Sequence, residues 1–236
     1  SPVIGYYQER NLYVPIHGVG PIPEIFDTLC VAIEHMLEKE WFNLVLSGPP
    51  GAGKGTQGRM LAEKFNFFYI STGSLLRKEI KAETDLGLKV KETIEKGELV
   101  SDEIVIRLIE REMKVHTNVN GFVFKGFPRT ILQSYILDGL LRRMNMGVSY
   151  VVELRAPTIE LIKRLDKRGR SEKARTYDLT TELIIHRLEE YDTKTAPVME
   201  LYKKQNKHVV VNAMGANDEI FALLSDTVQA AMKKSR

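Results

Sequence analysis

The stretch Gly48-Pro49-Pro50-Gly51-Ala52-Gly53-Lys54-Gly55-Thr56 decides how the rest of the chain is read. Before it, Asn43 to Ser47 is a short run centred on Leu44-Val45-Leu46. After it, Lys54 to Phe65 places Met60, Leu61 and Phe65 at helical spacing. Glycines let a backbone turn its N–H groups inward, the following helix presents the positive end of its dipole, and Lys54 is placed to reach the outer phosphates of a nucleotide. An ordinary strand-to-helix turn needs neither the Lys nor four glycines in the eight residues from Gly48 to Gly55. Gly51, Ala52, Gly53, Lys54, Gly55 and Thr56 are therefore candidate phosphate contacts.

Outward from this loop, four further runs rich in β-branched and aromatic residues recur between helical stretches. They are Phe67 to Ser71, Gly121 to Lys125, Ser149 to Leu154, and His208 to Asn212. Strands separated by helices predict an α/β fold, a doubly wound five-stranded parallel sheet of the P-loop NTPase type. Leu44-Val45-Leu46 and Tyr150-Val151-Val152 are continuous rather than alternating, which predicts central strands covered on both faces. Between Ser74 and Arg111 no strand signal occurs, so a small helical sub-domain is expected there. A polar, turn-rich break at Arg168 to Leu179 separates helices expected over Thr158 to Lys167 and Thr180 to Lys194. Residues 1–41 stand outside this alternation. They form an arm with Pro15, Pro21 and Pro23, then a stripe of Ile25, Phe26, Leu29, Ile33, Met36 and Leu37. The simple account of that stripe is a helix packed on its own domain; a surface for a protein partner is the alternative.

The 236 residues suit one well-buried domain with small insertions. A formal charge of +3 from 34 basic and 31 acidic residues implies no nucleic-acid partner, and no basic run is interleaved with aromatics. The single cysteine, Cys30, excludes an internal disulfide and a multi-thiolate zinc site. No apolar run approaches the ~20 residues that span a bilayer. A cytoplasmic setting is expected, with an organelle left open.

Several later segments resemble one family. Ser71-Thr72-Gly73-Ser74-Leu75-Leu76-Arg77, Leu99-Val100-Ser101-Asp102-Glu103-Ile104-Val105, and Gly126-Phe127-Pro128-Arg129-Thr130 with Gln133 are similar to adenylate kinase signatures, as is the Gly-Lys-Gly-Thr form of the loop. Arg164, Arg168, Arg175 and Arg187 fall at nearly the spacing of that family's arginines. The resemblance covers residues 42–236. It implies an acceptor-binding insertion over 72–101, a short lid over 168–179, and reversible transfer of a phosphoryl group from ATP to AMP giving two ADP. It further implies that Lys54 and the loop hold donor phosphates and that Arg164 covers the donor base. Arg77 and Arg129 would clasp the acceptor phosphate, and Arg168, Arg175 and Arg187 would bridge the two nucleotides. Thr72, Leu99, Val100, Gly126 and Gln133 would hold the acceptor nucleoside. Arginine suits these roles because its fixed fork of donors matches phosphate oxygens. Arg111, Arg142 and Arg143 are read instead as solvated surface charges.

Two departures from the family pattern lie close to this chemistry. Lys125 stands where the family has Asp before Gly-Phe-Pro-Arg, and Ser74 where it has Asp after Ser-Thr-Gly. The family's Mg2+ cofactor is thus expected to come with the nucleotide and to bind more weakly, with no direct carboxylate ligand and with Thr56 as a protein oxygen. Three readings stand at this point: an ATP:AMP phosphotransferase, a GTP:AMP phosphotransferase, and a nucleotide-binding scaffold or regulatory subunit with weakened catalysis.

Overall fold

Five short apolar runs lie side by side, all parallel, in the computed structural model, which describes residues 2–8, 13–37, 41–95, 100–171 and 180–234. They are β1 (Leu44–Ser47), β2 (Phe67–Ser71), β3 (Gly121–Lys125), β4 (Tyr150–Arg155) and β5 (His208–Asn212), in the order β2-β3-β1-β4-β5. The sheet agrees with the sequence expectation, with β1 at its centre. Alternate residues of the inner strands face opposite cores. Leu44, Leu46, Val123, Val152 and Leu154 join one core, whereas Val45, Phe122, Phe124 and Val151 join the other. Burial on both faces is why these strands read as unbroken apolar runs.

The chain divides into two compact units, Ser1–Glu40 and Trp41–Arg236. The first contains α1 (Pro2–Gln8) and α2 (Ile22–Leu37). Of the apolar stripe expected on α2, Ile25 is half-buried while Phe26, Leu29 and Ile33 are exposed.

In the second unit the sheet is flanked by α3 (Lys54–Phe65), α4 (Thr72–Lys81), α5 (Asp85–Glu95), α6 (Asp102–Val115) and α7 (Ile131–Arg142). There follow α8 (Thr158–Gly169), α9 (Thr181–Glu190), a π-helical turn (Tyr191–Thr195), α10 (Ala196–Lys204) and α11 (Asn217–Lys234). Leu61 of α3, Leu161 and Leu165 of α8, and Leu224 and Val228 of α11 fill the first core. Met113 of α6, Leu137 and Leu140 of α7, and Tyr202 of α10 fill the second. Between Ser74 and Arg111 the described residues hold most of α4, all of α5 and most of α6. Arg111 is more than a solvated charge there: its Nη2 lies 2.7 Å from Glu79 Oε1, tying α6 to α4. That hydrogen bond is the main reason the Glu79 carboxyl sits below its usual range. No helix among the described residues is long and apolar enough to cross a membrane.

Asn43 begins the first predicted strand, yet β1 starts one residue later because Asn43 has another task. Its fully buried side chain accepts a hydrogen bond from Phe122 N at 3.2 Å and donates to Gly147 O at 3.0 Å. Ser149 completes the clip, with its Oγ accepting from Asn43 N at 3.0 Å and its own N–H donating to Asn43 O at 2.9 Å. Three neighbouring segments are thus held in register at the amino edge of the sheet. Asn43→Ala leaves the buried Phe122 N–H unpaired, and a loss of about 1–3 kcal/mol is expected. A denaturant melt of the two proteins checks it, and an unchanged midpoint would show that the clip is dispensable.

Candidate functional site

β1 ends at Ser47 and α3 begins at Lys54, so the glycine-rich loop fills the gap at the carboxyl edge of the sheet, where ligands bind open α/β sheets. Gly48 opens it with φ of 131°, and any Cβ there would collide with the carbonyl of Leu154 on β4. Only glycine allows both that backbone conformation and that approach. The loop curls around its own lysine: Lys54 Nζ donates to Gly48 O and, at 2.7 Å, to Pro49 O.

A cavity of about 410 Å³ opens over the loop. Its wall includes Gly48, Pro50, Gly51, Ala52, Gly53, Lys54, Gly55 and Thr56 from one side, and Lys125 through Arg129 from the end of β3. Arg164 and Arg168 reach it from α8, and Arg187 from α9. With Arg59, seven cationic side chains among the described residues line this space, against one described carboxylate, Glu190. Glu190 is itself paired with Lys194. Burial foremost, and then the charges of Lys125, Arg129, Arg187 and Arg168, push the Lys54 ammonium well below its ordinary range. Such an arrangement favours an anion of high charge.

Arg129 and Arg164 are each held by neighbours. Arg129 Nε donates to Gly126 O at 2.9 Å, and its backbone N–H donates to Gln133 Oε1 at 2.6 Å. Thr72 Oγ1 donates to the same Gly126 carbonyl at 3.0 Å. Gly126 has φ of 83°, and a Cβ there would stand 2.8 Å from Thr72 Oγ1, so the Gly-Phe-Pro-Arg turn needs this glycine. Arg164 is braced by Glu160 Oε1 at 2.8 Å and Ala213 O at 2.9 Å.

Of the expected acceptor residues, Gly126 and Arg129 line the cavity, whereas Thr72, Arg77, Val100 and Gln133 are not part of its wall. Arg77 Nη2 donates to Ser74 Oγ at 3.2 Å, and Ser74 lines the cavity. Gln133 is buried, its Nε2 donating to Asp102 Oδ1 at 2.6 Å. Its amide retains one N–H and one lone pair beyond these bonds. Val100 is buried in the second core. Leu99 and Arg175 lie outside the described residues, as does the expected lid beyond Ser171.

Sequence reasoning missed Tyr191. Its hydroxyl donates to Glu153 Oε1 at 2.8 Å, and Glu153 is 1% exposed on β4. Arg155 Nε at 2.9 Å and His208 Nε2 at 2.9 Å meet the same carboxylate. Burial and then the Glu153 charge push the Tyr191 phenol above its ordinary range, which keeps it a donor. A signal was present: Tyr191 follows Arg187 by four residues, which puts both on one helix face.

The wall does not fit a protein-held Mg2+. That ion takes carboxylate and phosphate oxygens, whereas the described lining offers the hydroxyls of Thr56, Ser71 and Ser74 and a carboxylate already paired with a lysine. Among the described residues no cluster of three His, Cys, Asp or Glu side chains exists.

A phosphate loop, a second arginine-bearing turn and four helix-borne arginines around one cavity define a P-loop phosphotransferase site. The sequence profile of the adenylate kinase family matches residues 46–207. The chain is 41% identical over 186 residues to an adenylate kinase of Flavobacterium psychrophilum, covering 79% of this chain and 97% of that protein. It is 40% identical to one from Parabacteroides distasonis, again covering 79% and 97%. With one from Mycobacteroides abscessus it shares 39% over 78% and 98% of the two chains. The chain belongs to the adenylate kinase family.

A cavity so rich in positive charge is expected to be stabilised by any compact polyanion. Inorganic tripolyphosphate at about a hundred times its Kd should raise stability by about 2.7 kcal/mol, read as a rise in Tm. Lys54→Met should abolish most of that rise. It should also leave the ligand-free protein more stable, since it removes a buried charge crowded by other cations. A Tm rise of the same size in the variant would dissociate Lys54 from phosphate binding.

Proposed function

We propose that this chain is an ATP:AMP phosphotransferase, moving the terminal phosphoryl group of ATP to AMP and back. The observation that carries the reading is the convergence of two phosphate-binding motifs on one cavity. The Gly48 to Thr56 loop and the Gly126 to Arg129 turn come from adjacent strands, β1 and β3, and end on the same space.

In this reading the loop amides and Lys54 hold the donor's phosphates, while Arg77 and Arg129 hold the acceptor's. Arg168, Arg175 and Arg187 would neutralise charge on the group in transit. In-line transfer asks the protein mainly for position and positive charge, since the nucleotides supply the reacting atoms. No general base is required to generate a nucleophile, because the acceptor phosphate is already an anion. Any Mg2+ arrives on the nucleotide, with Thr56 as the loop hydroxyl available to it. Arg164, flat against the wall through Glu160 and the Ala213 carbonyl, supports one face of the donor base. Stacking of that kind favours adenine no more than guanine, so donor choice is left to the assay. Thr72, Leu99, Val100, Gly126 and Gln133 are the acceptor nucleoside's contacts. The remaining donor and acceptor of the Gln133 amide suit the edge of adenine.

A coupled assay of ADP formation from ATP and AMP tests the reading. Turnover is expected, with AMP preferred to CMP, UMP and GMP and with ATP and GTP compared as donors. Arg129→Ala should lower kcat/KM by about 10²- to 10³-fold, the loss typical of removing one donor to developing charge. Nucleotide binding without any ADP formation would overturn the proposal in favour of a binding protein.

A further inference from the structure

Lys125 ends β3, opposite Leu46 of β1 and Ser71 of β2 in the register of the sheet. Its side chain lines the cavity where the phosphate loop begins. Lys54 lines the same cavity, and after burial the Lys125 charge is the largest contributor to its lowered ammonium.

Ser74 adds to this. It stands in the first turn of α4 and in the same wall, with its Oγ donating to Ser71 Oγ at 3.0 Å. Arg77 Nη2 reaches that oxygen at 3.2 Å. Around Lys54 the described wall therefore presents ammonium, guanidinium and hydroxyl groups. These are donors to phosphate oxygens, whereas a dication needs anionic oxygen ligands. The carboxylate of Glu190 is taken by Lys194. A divalent ion brought here on a nucleotide would meet like charge, and like charges repel most where water is scarce. An ammonium can instead bond phosphate oxygens directly, as a compact point charge.

We propose that Lys125 binds an oxygen of the nucleotide's outer phosphates where Mg2+ would otherwise bridge them. This chain therefore takes the metal-free polyphosphate in preference to its Mg2+ complex. The inference rests on reading the cavity as a nucleoside triphosphate site. It adds a binding residue and a choice of ligand form that the catalytic reading does not require.

Calorimetric titration of the full chain with ATP, once with EDTA and once with excess Mg2+, tests it. The wild-type Kd is expected to be lower in EDTA. Lys125→Asp should reverse the order, giving about tenfold or more tighter binding with Mg2+. Lys125→Met keeps the stem without the charge and should weaken ATP binding in EDTA by about tenfold while changing the Mg2+ titration less. A thermal melt of each variant reports folding; if Lys125→Asp does not fold, the Met variant carries the comparison. Tighter wild-type binding with Mg2+, an unchanged ratio in the variants, or no ATP binding under either condition would overturn the proposal. Because the readout is binding, an absence of ADP formation would count against the catalytic reading alone.

Discussion

Positive charge crowded against positive charge is the condition around which the carboxyl edge of this sheet is built. Lys54, Lys125, Arg129, Arg168 and Arg187 line one cavity, and their mutual repulsion lowers the Lys54 ammonium. Folding brings them together in part because several of the site's cations are anchored by neighbouring groups. Lys54 is held by carbonyls of its own loop, Arg129 by Gly126 and Gln133, and Arg164 by Glu160 and Ala213. The cost of assembling the cluster is recovered when a polyanion enters. Preorganised charge of this kind need not rearrange as charge moves from donor to acceptor, which is what phosphoryl transfer rewards.

The two sides of the cavity are also latched mechanically. Glu153 on β4 receives Tyr191, Arg155 and His208, so a buried carboxylate level with Ser47, where the loop begins, fixes the end of the helix that carries Arg187. Four residues on, Thr195 Oγ1 donates to Arg129 O at 3.1 Å and joins that segment to the Gly-Phe-Pro-Arg turn. Between these two contacts the helix widens into a π turn over Tyr191–Thr195, with Ala196 N–H bonded to Tyr191 O. An inserted turn of this type rotates the residues that follow it and recurs at functional sites. Here it lets Tyr191 meet the sheet and Thr195 meet the arginine turn.

Much of this was legible in the chain. Periodicity located all five strands, because strands buried on both faces must be continuously apolar, and it located α3 over the same residues the structure shows. Errors were small and had causes. Asn43 left the strand to clip its neighbours, and Arg111 found Glu79. The pairing was invisible because Arg111 and Glu79 are 32 residues apart in sequence. The Glu153 network eluded the sequence for a related reason. Its members come from β4, β5 and the turn after α9, and a single buried glutamate in an apolar strand carries no local signal.

The sequence by itself determined that a phosphate loop sits between a buried strand and a helix. Glycine spacing and a lysine are local requirements of backbone and charge. It also showed which arginines fall in segments that resemble the family's, and that Lys125 and Ser74 stand where the resemblance leads one to expect acids. Only the tertiary structure decided that these residues share one wall and that Glu190 is already paired. It decided too that the charge of Lys125 acts on Lys54. The physical reason is that charge interactions depend on distance in space. The parallel sheet, by ordering β3 beside β1, converts a separation of about seventy residues in sequence into neighbouring strand ends.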